Sequence, residues 1–218
     1  MSNKPMPIFE NLSRFGVVPV IAIDDASAAL GLADALAAGG LPVAEITFRT
    51  AAAAEVMKRI VAQRPDMIVG AGTVLTADNL KRAVDSGAKF AVAPGFNPTV
   101  VQAALDAGLP FAPGVMTPSD IEGAVELGCR VLKFFPAGAA GGVKMLSAIS
   151  APYKHLGVKF VPTGGIKPEN MHEYLQLSEV AAVGGTWLAT RESIAGGDWA
   201  GIAARCADAV KIVRAVRG

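Results

Sequence analysis

Val131-Leu132-Lys133-Phe134-Phe135-Pro136 is the stretch on which the reading of this chain turns. A run of apolar residues closed by a proline reads as a buried strand. One ammonium group stands in the middle of it. Burying that charge without a partner is costly, so such a site favours the neutral amine. A neutral amine is a nucleophile whose natural target is a ketone or aldehyde, and the product is a Schiff base. The competing reading buries only the lysine stem and lets the head reach the strand end or pair with a carboxylate.

Strand-like runs of the same kind recur on both sides of this one. They lie at 17–23, 43–48, 67–71, 90–93 and 110–112 before it, and at 159–162 and 180–183 after it, with 131–135 as the sixth. Their starts are 20 to 28 residues apart, about one βα unit each. Helix-start signals follow most of them: Thr50, Thr76, Asn97-Pro98, Thr117-Pro118 and Lys167-Pro168. Gly39-Gly40, Gly87, Gly108 and Gly128 sit where helices should stop. Eight alternating units predict an α/β fold, a (β/α)8 TIM barrel formed by residues 1–218 as one domain. A short N-terminal helix precedes strand 1 and a long helix follows strand 8. An open doubly wound sheet is the alternative.

Composition agrees with buried parallel strands: of 218 residues, 52% are hydrophobic and 18% charged. The net charge of +1, without a basic cluster, argues against a nucleic-acid partner. Cys129 and Cys206 share no motif spacing, which points to a reducing compartment and to neither a disulfide framework nor a metal site. The opening Met1–Pro7 leads into a polar segment with no apolar signal core, and no apolar run is long enough to cross a membrane. The expected location is the cytoplasm.

A barrel places its chemistry at the C-terminal ends of its strands. The polar residues there are Glu45, Thr47, Arg49, Thr73, Lys133, Thr163 and Thr186. Strand side chains alternate between faces. Glu45, Thr47 and Arg49 therefore share one face, with Ile46 and Phe48 on the other. Lys133 and Phe135 share a face likewise, opposite Leu132 and Phe134. The simplest arrangement points both polar sets inward, toward one another. A structural ion pair of Glu45 with Arg49 or Lys133 is the alternative, although buried ion pairs contribute little net stability.

Pro162-Thr163-Gly164-Gly165-Ile166 and Val183-Gly184-Gly185-Thr186-Trp187 end strands 7 and 8. Glycine pairs at these ends let backbone N–H groups approach an anion, and in this fold those loops are the frequent phosphate site. Thr186 adds a hydroxyl donor. Gly70-Ala71-Gly72-Thr73 lacks the Gly-Lys-Ser/Thr ending of a phosphate loop and reads instead as close backbone packing that presents Thr73.

These residues together resemble the class I aldolases that cleave 2-keto-3-deoxy-6-phosphogluconate, many of which also act on 4-hydroxy-2-oxoglutarate. The resemblance runs from Val17-Val18-Pro19-Val20-Ile21 to the final helix. It is carried by Glu45-Ile46-Thr47-Phe48-Arg49-Thr50, Gly70-Ala71-Gly72-Thr73-Val74-Leu75, Pro94-Gly95, Lys133-Phe134-Phe135-Pro136-Ala137, Gly141-Gly142-Val143-Lys144 and the two glycine pairs. It implies that Lys133 forms the Schiff base and that Glu45 is the general acid/base, working through a water. It implies Arg49 and Thr73 at the pyruvyl carboxylate, and Pro94, Phe135 and Thr163 at the pocket wall. Gly164, Gly165, Gly185 and Thr186 would hold the phosphate. Thr186 stands where the family often has Ser, which keeps the hydroxyl, and Phe48 replaces a common Leu on the outward face.

The resemblance further implies a keto-acid phosphate substrate, no cofactor, no metal and a homotrimer. The readings that compete with it are an aldolase for the galactonate epimer and a phosphosugar isomerase or epimerase barrel. A non-catalytic binding protein would leave a lysine and a glutamate sharing one interior unexplained. His155 and His172 fall outside the strand ends and are expected in solvent. Asp24-Asp25 suggests a helix cap more than a metal pair.

Overall fold

The structure, a computed structural model, describes residues 7–218. Met1–Met6, the start of the segment expected to carry no signal core, lie outside the described residues. The chain alternates strands and helices from end to end. Helix α1 (Pro7–Phe15) is followed by β1 (Val17–Ile21), α2 (Ala29–Ala38), β2 (Val43–Thr47), α3 (Ala53–Gln63), β3 (Ile68–Gly72), α4 (Ala77–Asp85), β4 (Phe90–Val92) and α5 (Pro98–Asp106). Then come β5 (Phe111–Ala112), β6 (Gly114–Val115), α6 (Pro118–Glu126), β7 (Val131–Phe134), α7 (Gly142–Ser150), β8 (Lys159–Pro162), α8 (Pro168–Leu175), β9 (Val183–Gly185), α9 (Arg191–Ala195) and α10 (Trp199–Arg217).

All strand pairings are parallel. Six strands form a curled sheet in the order β5-β4-β3-β2-β1-β9, and β6-β7-β8 form a second. Two isolated parallel bridges, Phe160 with Val180 and Thr163 with Gly184, run between the β8 region and the β9 region. Every residue of β1, β2 and β7 is buried, as expected for strands covered on both faces. Ile21, Ile46, Leu132, Phe134 and Phe160 are among the side chains that fill the core.

The caps explain where several helices begin. Thr76 accepts from the Asn79 N–H, Asn97 from Thr99, and Thr117 from Asp120, each opening its helix as anticipated. Asp25 caps the short 3-10 turn at 26–28 by accepting from the Ser27 N–H. Thr50 does not cap α3: its hydroxyl donates to the Ile23 carbonyl at 2.6 Å, and α3 starts three residues later. Helix α10 packs against α2 and α8. Gly39 permits that close approach, since a Cβ there would lie 2.6 Å from the Ala203 carbonyl oxygen. Arg217, at the end of α10, donates to the carbonyls of Ser13, Val180 and Ala181.

Two strand positions differ from expectation. The fifth run, 110–112, contains β5, but a further short strand, β6, follows beyond Pro113, which has no N–H to give to a ladder. The eighth strand lies at Val183–Gly185 and not at 180–183. Its glycines carry the pairing with β1, through Val18 with Gly184 and Pro19 with Gly185. Glycine is a poor strand former, so the apolar lead-in read as the strand.

Candidate active site

Strand register places the two charged side chains that matter most. Glu45 of β2 lies between Val20 of β1 and Gly70 of β3. Lys133 of β7 lies between Gly114 of β6 and Val161 of β8. The two come from opposite sides of the strand array and meet in its interior. The Lys133 Nζ donates to Glu45 Oε1 at 3.0 Å, with both side chains buried. Among the described residues, this is the one hydrogen bond Glu45 makes through its carboxylate. A Cβ at Gly72 would collide with that carboxylate, so the glycine in β3 is what leaves room for it. The lysine ammonium also lies 5.8 Å from the centre of the Phe135 ring.

A cavity of about 290 Å³ opens over this pair. Its wall brings together Glu45, Arg49, Thr73, Pro94, Lys133, Phe135, Thr163, Gly164 and Thr186, all singled out from sequence. Gly165 and Gly185 do not line it. Gly185 is buried in β9, where the Trp187 ring occupies the space its Cβ would need. Val20 and Thr47 complete the wall. Thr47 was visible as a third inward position of β2, while Val20 carries no polar signal that could have marked it.

Thr47 braces the rim. Its hydroxyl donates to the Ile21 carbonyl at 2.8 Å and accepts from the Arg49 Nε at 3.2 Å. β2 ends at Thr47, so Arg49 stands on the turn beyond it, exposed at the cavity mouth. Thr73 has a φ of 58°, a left-handed backbone that a β-branched residue seldom adopts. Such outliers persist only where the surroundings enforce them, and they cluster at functional sites. A second cavity of about 480 Å³ shares Val20, Arg49 and Thr186 with the first and continues to Thr190, Arg191 and Glu192.

The rest of the titratable inventory lies elsewhere. His155 and His172 are exposed. Asp24 pairs with Arg191 at 3.5 Å on the surface. Burial pushes the thiols of Cys129 and Cys206 up to about 11 and about 12, so neither is a thiolate at neutral pH. Among the described residues, no group of three or more His, Cys, Asp or Glu side chains could hold a metal ion. The site's chemistry is thus that of one amine, one carboxylate and a cationic rim.

A family model of KDPG and KHG aldolase matches residues 8–205. The chain belongs to the KDPG and KHG aldolase family. The 2-dehydro-3-deoxy-phosphogluconate aldolase of Haemophilus influenzae is 44% identical over 98% of this chain and 100% of its own. The KHG/KDPG aldolase of Escherichia coli K12 is 40% identical over 89% of this chain and 91% of its own. The crystal structure of KDPG aldolase from Legionella pneumophila matches with a TM-score of 0.88 at 40% identity, covering 93% of this chain and 97% of that one. That structure holds pyruvate captured at low pH as a covalent carbinolamine intermediate.

Proposed function

We propose that this chain is a class I aldolase that cleaves 2-keto-3-deoxy-6-phosphogluconate reversibly to pyruvate and D-glyceraldehyde 3-phosphate. In the same pocket it cleaves 4-hydroxy-2-oxoglutarate to pyruvate and glyoxylate. The observation that carries this reading is the buried 3.0 Å contact between Lys133 Nζ and Glu45 Oε1 under a cavity rimmed by Arg49. The names of the related proteins support the substrates and do not favour an aldolase for the galactonate epimer or a phosphosugar isomerase.

The steps rest on these groups. Lys133 adds to the C2 ketone to give a carbinolamine, which loses water to a protonated imine. The imine accepts the electron pair of the C3–C4 bond as it breaks, becoming an enamine. Glu45, through a water, takes the proton of the C4 hydroxyl as the aldehyde forms and later returns a proton to C3. Water then adds to the regenerated imine, pyruvate leaves and the free amine of Lys133 is restored. Arg49 and Thr73 hold the substrate carboxylate, and Pro94, Phe135 and Thr163 wall the pocket. Gly164, Gly165, Gly185 and Thr186 form the phosphate end.

The same reading takes residues 1–218 as one domain and the two sheets as one closed (β/α)8 barrel. Its support is the pair of bridges from β8 to the β9 region and the single residue, Pro113, between β5 and β6. It also takes the protein as a cytoplasmic homotrimer without cofactor; among the described residues, no helix is long and apolar enough to cross a membrane. The test is to incubate the protein with pyruvate and sodium borohydride and measure intact mass. A pyruvate-sized gain is expected in the wild type and not in Lys133→Ala. A wild type that gains nothing would sink the Schiff-base mechanism.

A further inference from the structure

The loop after β8 is held from behind in a way that leaves one side of it unused. Three consecutive carbonyls are tied down: Thr163 O accepts from the Ala137 N–H at 2.8 Å, Gly164 O from the Gly138 N–H at 2.8 Å, and Gly165 O from Asn170 Nδ2 at 3.0 Å. A peptide unit is planar, so fixing the carbonyl of one residue also fixes the N–H of the next. The three anchors therefore set the directions of the Gly164, Gly165 and Ile166 N–H groups. The Gly165 and Ile166 N–H groups donate to no described residue, whereas the Thr163–Gly184 bridge sets the Gly164 N–H beside β9. Left-handed backbone at Gly164 (φ 91°) and Gly165 (φ 78°) gives the run its concave turn. Successive amides facing one way make an anion cradle.

Two of the anchors are backbone and cannot be altered by substitution. The third is a side chain. Asn170, in the first turn of α8, also accepts from the Lys167 N–H through Oδ1 at 2.8 Å. Lys167 N–H can only donate and Gly165 O can only accept, so the carboxamide has one orientation that satisfies both. Aspartate would keep the bond to Lys167 and lose the one to Gly165. We infer that Asn170 is a positioning residue for the phosphate end of the substrate, acting through Gly165 to aim the Ile166 N–H as a donor beside that of Gly165. It touches no substrate atom and no part of the Lys133–Glu45 pair. The inference rests on the proposed phosphate-binding role of this loop.

Steady-state kinetics of Asn170→Ala and Asn170→Asp on both substrates tests it. Loss of one oriented hydrogen bond corresponds to about a tenfold rise in KM for the phosphorylated substrate. We expect kcat on that substrate to stay within about twofold, because the reacting atoms are untouched. Activity on unphosphorylated 4-hydroxy-2-oxoglutarate should not change, and competitive inhibition by inorganic phosphate should weaken in step with KM. The aspartate variant keeps the helix start, so it carries the test if the alanine variant fails to fold. An equal fall on both substrates, or an unchanged KM in both variants, overturns the role. So does a KM rise in the aspartate variant that vanishes at high salt, since that is charge repulsion and not lost orientation. A wild type inactive on the phosphorylated substrate would instead refute the reading of the loop as a phosphate site.

Discussion

Glu45 and Glu179 are both carboxylates with 4% of their surface exposed, and their surroundings could hardly differ more. Glu45 has one partner through its side chain, the Lys133 amine, and faces a cavity. Glu179 lies just ahead of Val180, whose bridge to Phe160 helps join the β8 and β9 regions. It accepts from the Ser150 hydroxyl at 2.9 Å and the Ser178 hydroxyl at 3.1 Å, and Lys154 Nζ lies at 3.4 Å. Burial by itself would raise the Glu179 carboxyl. Its own backbone, the two hydroxyls and the Lys154 ammonium outweigh burial and hold it below the ordinary glutamate value of 4.5. A saturated buried carboxylate stays ionised and ties elements together. Glu45, equally buried, keeps acceptor capacity that faces the cavity, so burial alone does not distinguish the two environments; the count of donors does.

Exchanging each acid for its amide should separate the two. If Glu45 carries the proton as proposed, Glu45→Gln should lower kcat by about a hundredfold or more. Some stability should be lost as well, because removing one partner of a buried ion pair leaves the other without its counter-charge. A variant that keeps wild-type turnover would break the comparison outright.

Glu179→Gln should do the reverse, costing on the order of 1–2 kcal/mol in chemical denaturation and leaving kcat intact. The pH dependence sharpens it. The folded-state value is depressed, so the stabilisation is full above about pH 4.5, where the unfolded glutamate is ionised, and is lost as pH falls through the folded value. The gap between wild type and Glu179→Gln should therefore close on acidification. A gap that widens toward acid would reverse the assignment.

The smallest effect belongs to Lys154→Ala. Its side chain is 53% exposed, and the pair with Glu179 is screened by solvent. A loss of about 0.5 kcal/mol or less is expected, shrinking further with added salt. A loss as large as that of Glu179→Gln would mean that the ammonium, and not the hydroxyls of Ser150 and Ser178, holds the carboxylate ionised.

Much of this contrast could be read from the sequence, but on one side only. Lys133 announces itself as a charge inside an apolar run, and the two-residue spacing of Glu45, Thr47 and Arg49 gives their common face. Strand parity then brings amine and carboxylate together without coordinates. Glu179 has no such signal. In Leu177-Ser178-Glu179-Val180 it looks like an ordinary surface acid, and its main partners come from Ser150 and Lys154, which only the tertiary fold brings near. Asn170 was hidden for a related reason, since an asparagine in the first turn of a helix reads as local capping. The eighth strand was misplaced because its ladder runs through glycines, whose role is set by the Thr163 and Trp187 side chains packed against them.

The pairing of β1 with β9 joins Val17 to Val183. Other neighbouring strands in the six-stranded sheet are separated by one helix and can form as the polypeptide leaves the ribosome. This one cannot: β1 must wait, one edge unpaired, while more than a hundred residues are synthesised at about 5–20 residues per second. For roughly ten to thirty seconds of its life the nascent chain exposes an apolar strand edge, and that interval, more than the stability of the finished protein, is where a chaperone would have work to do.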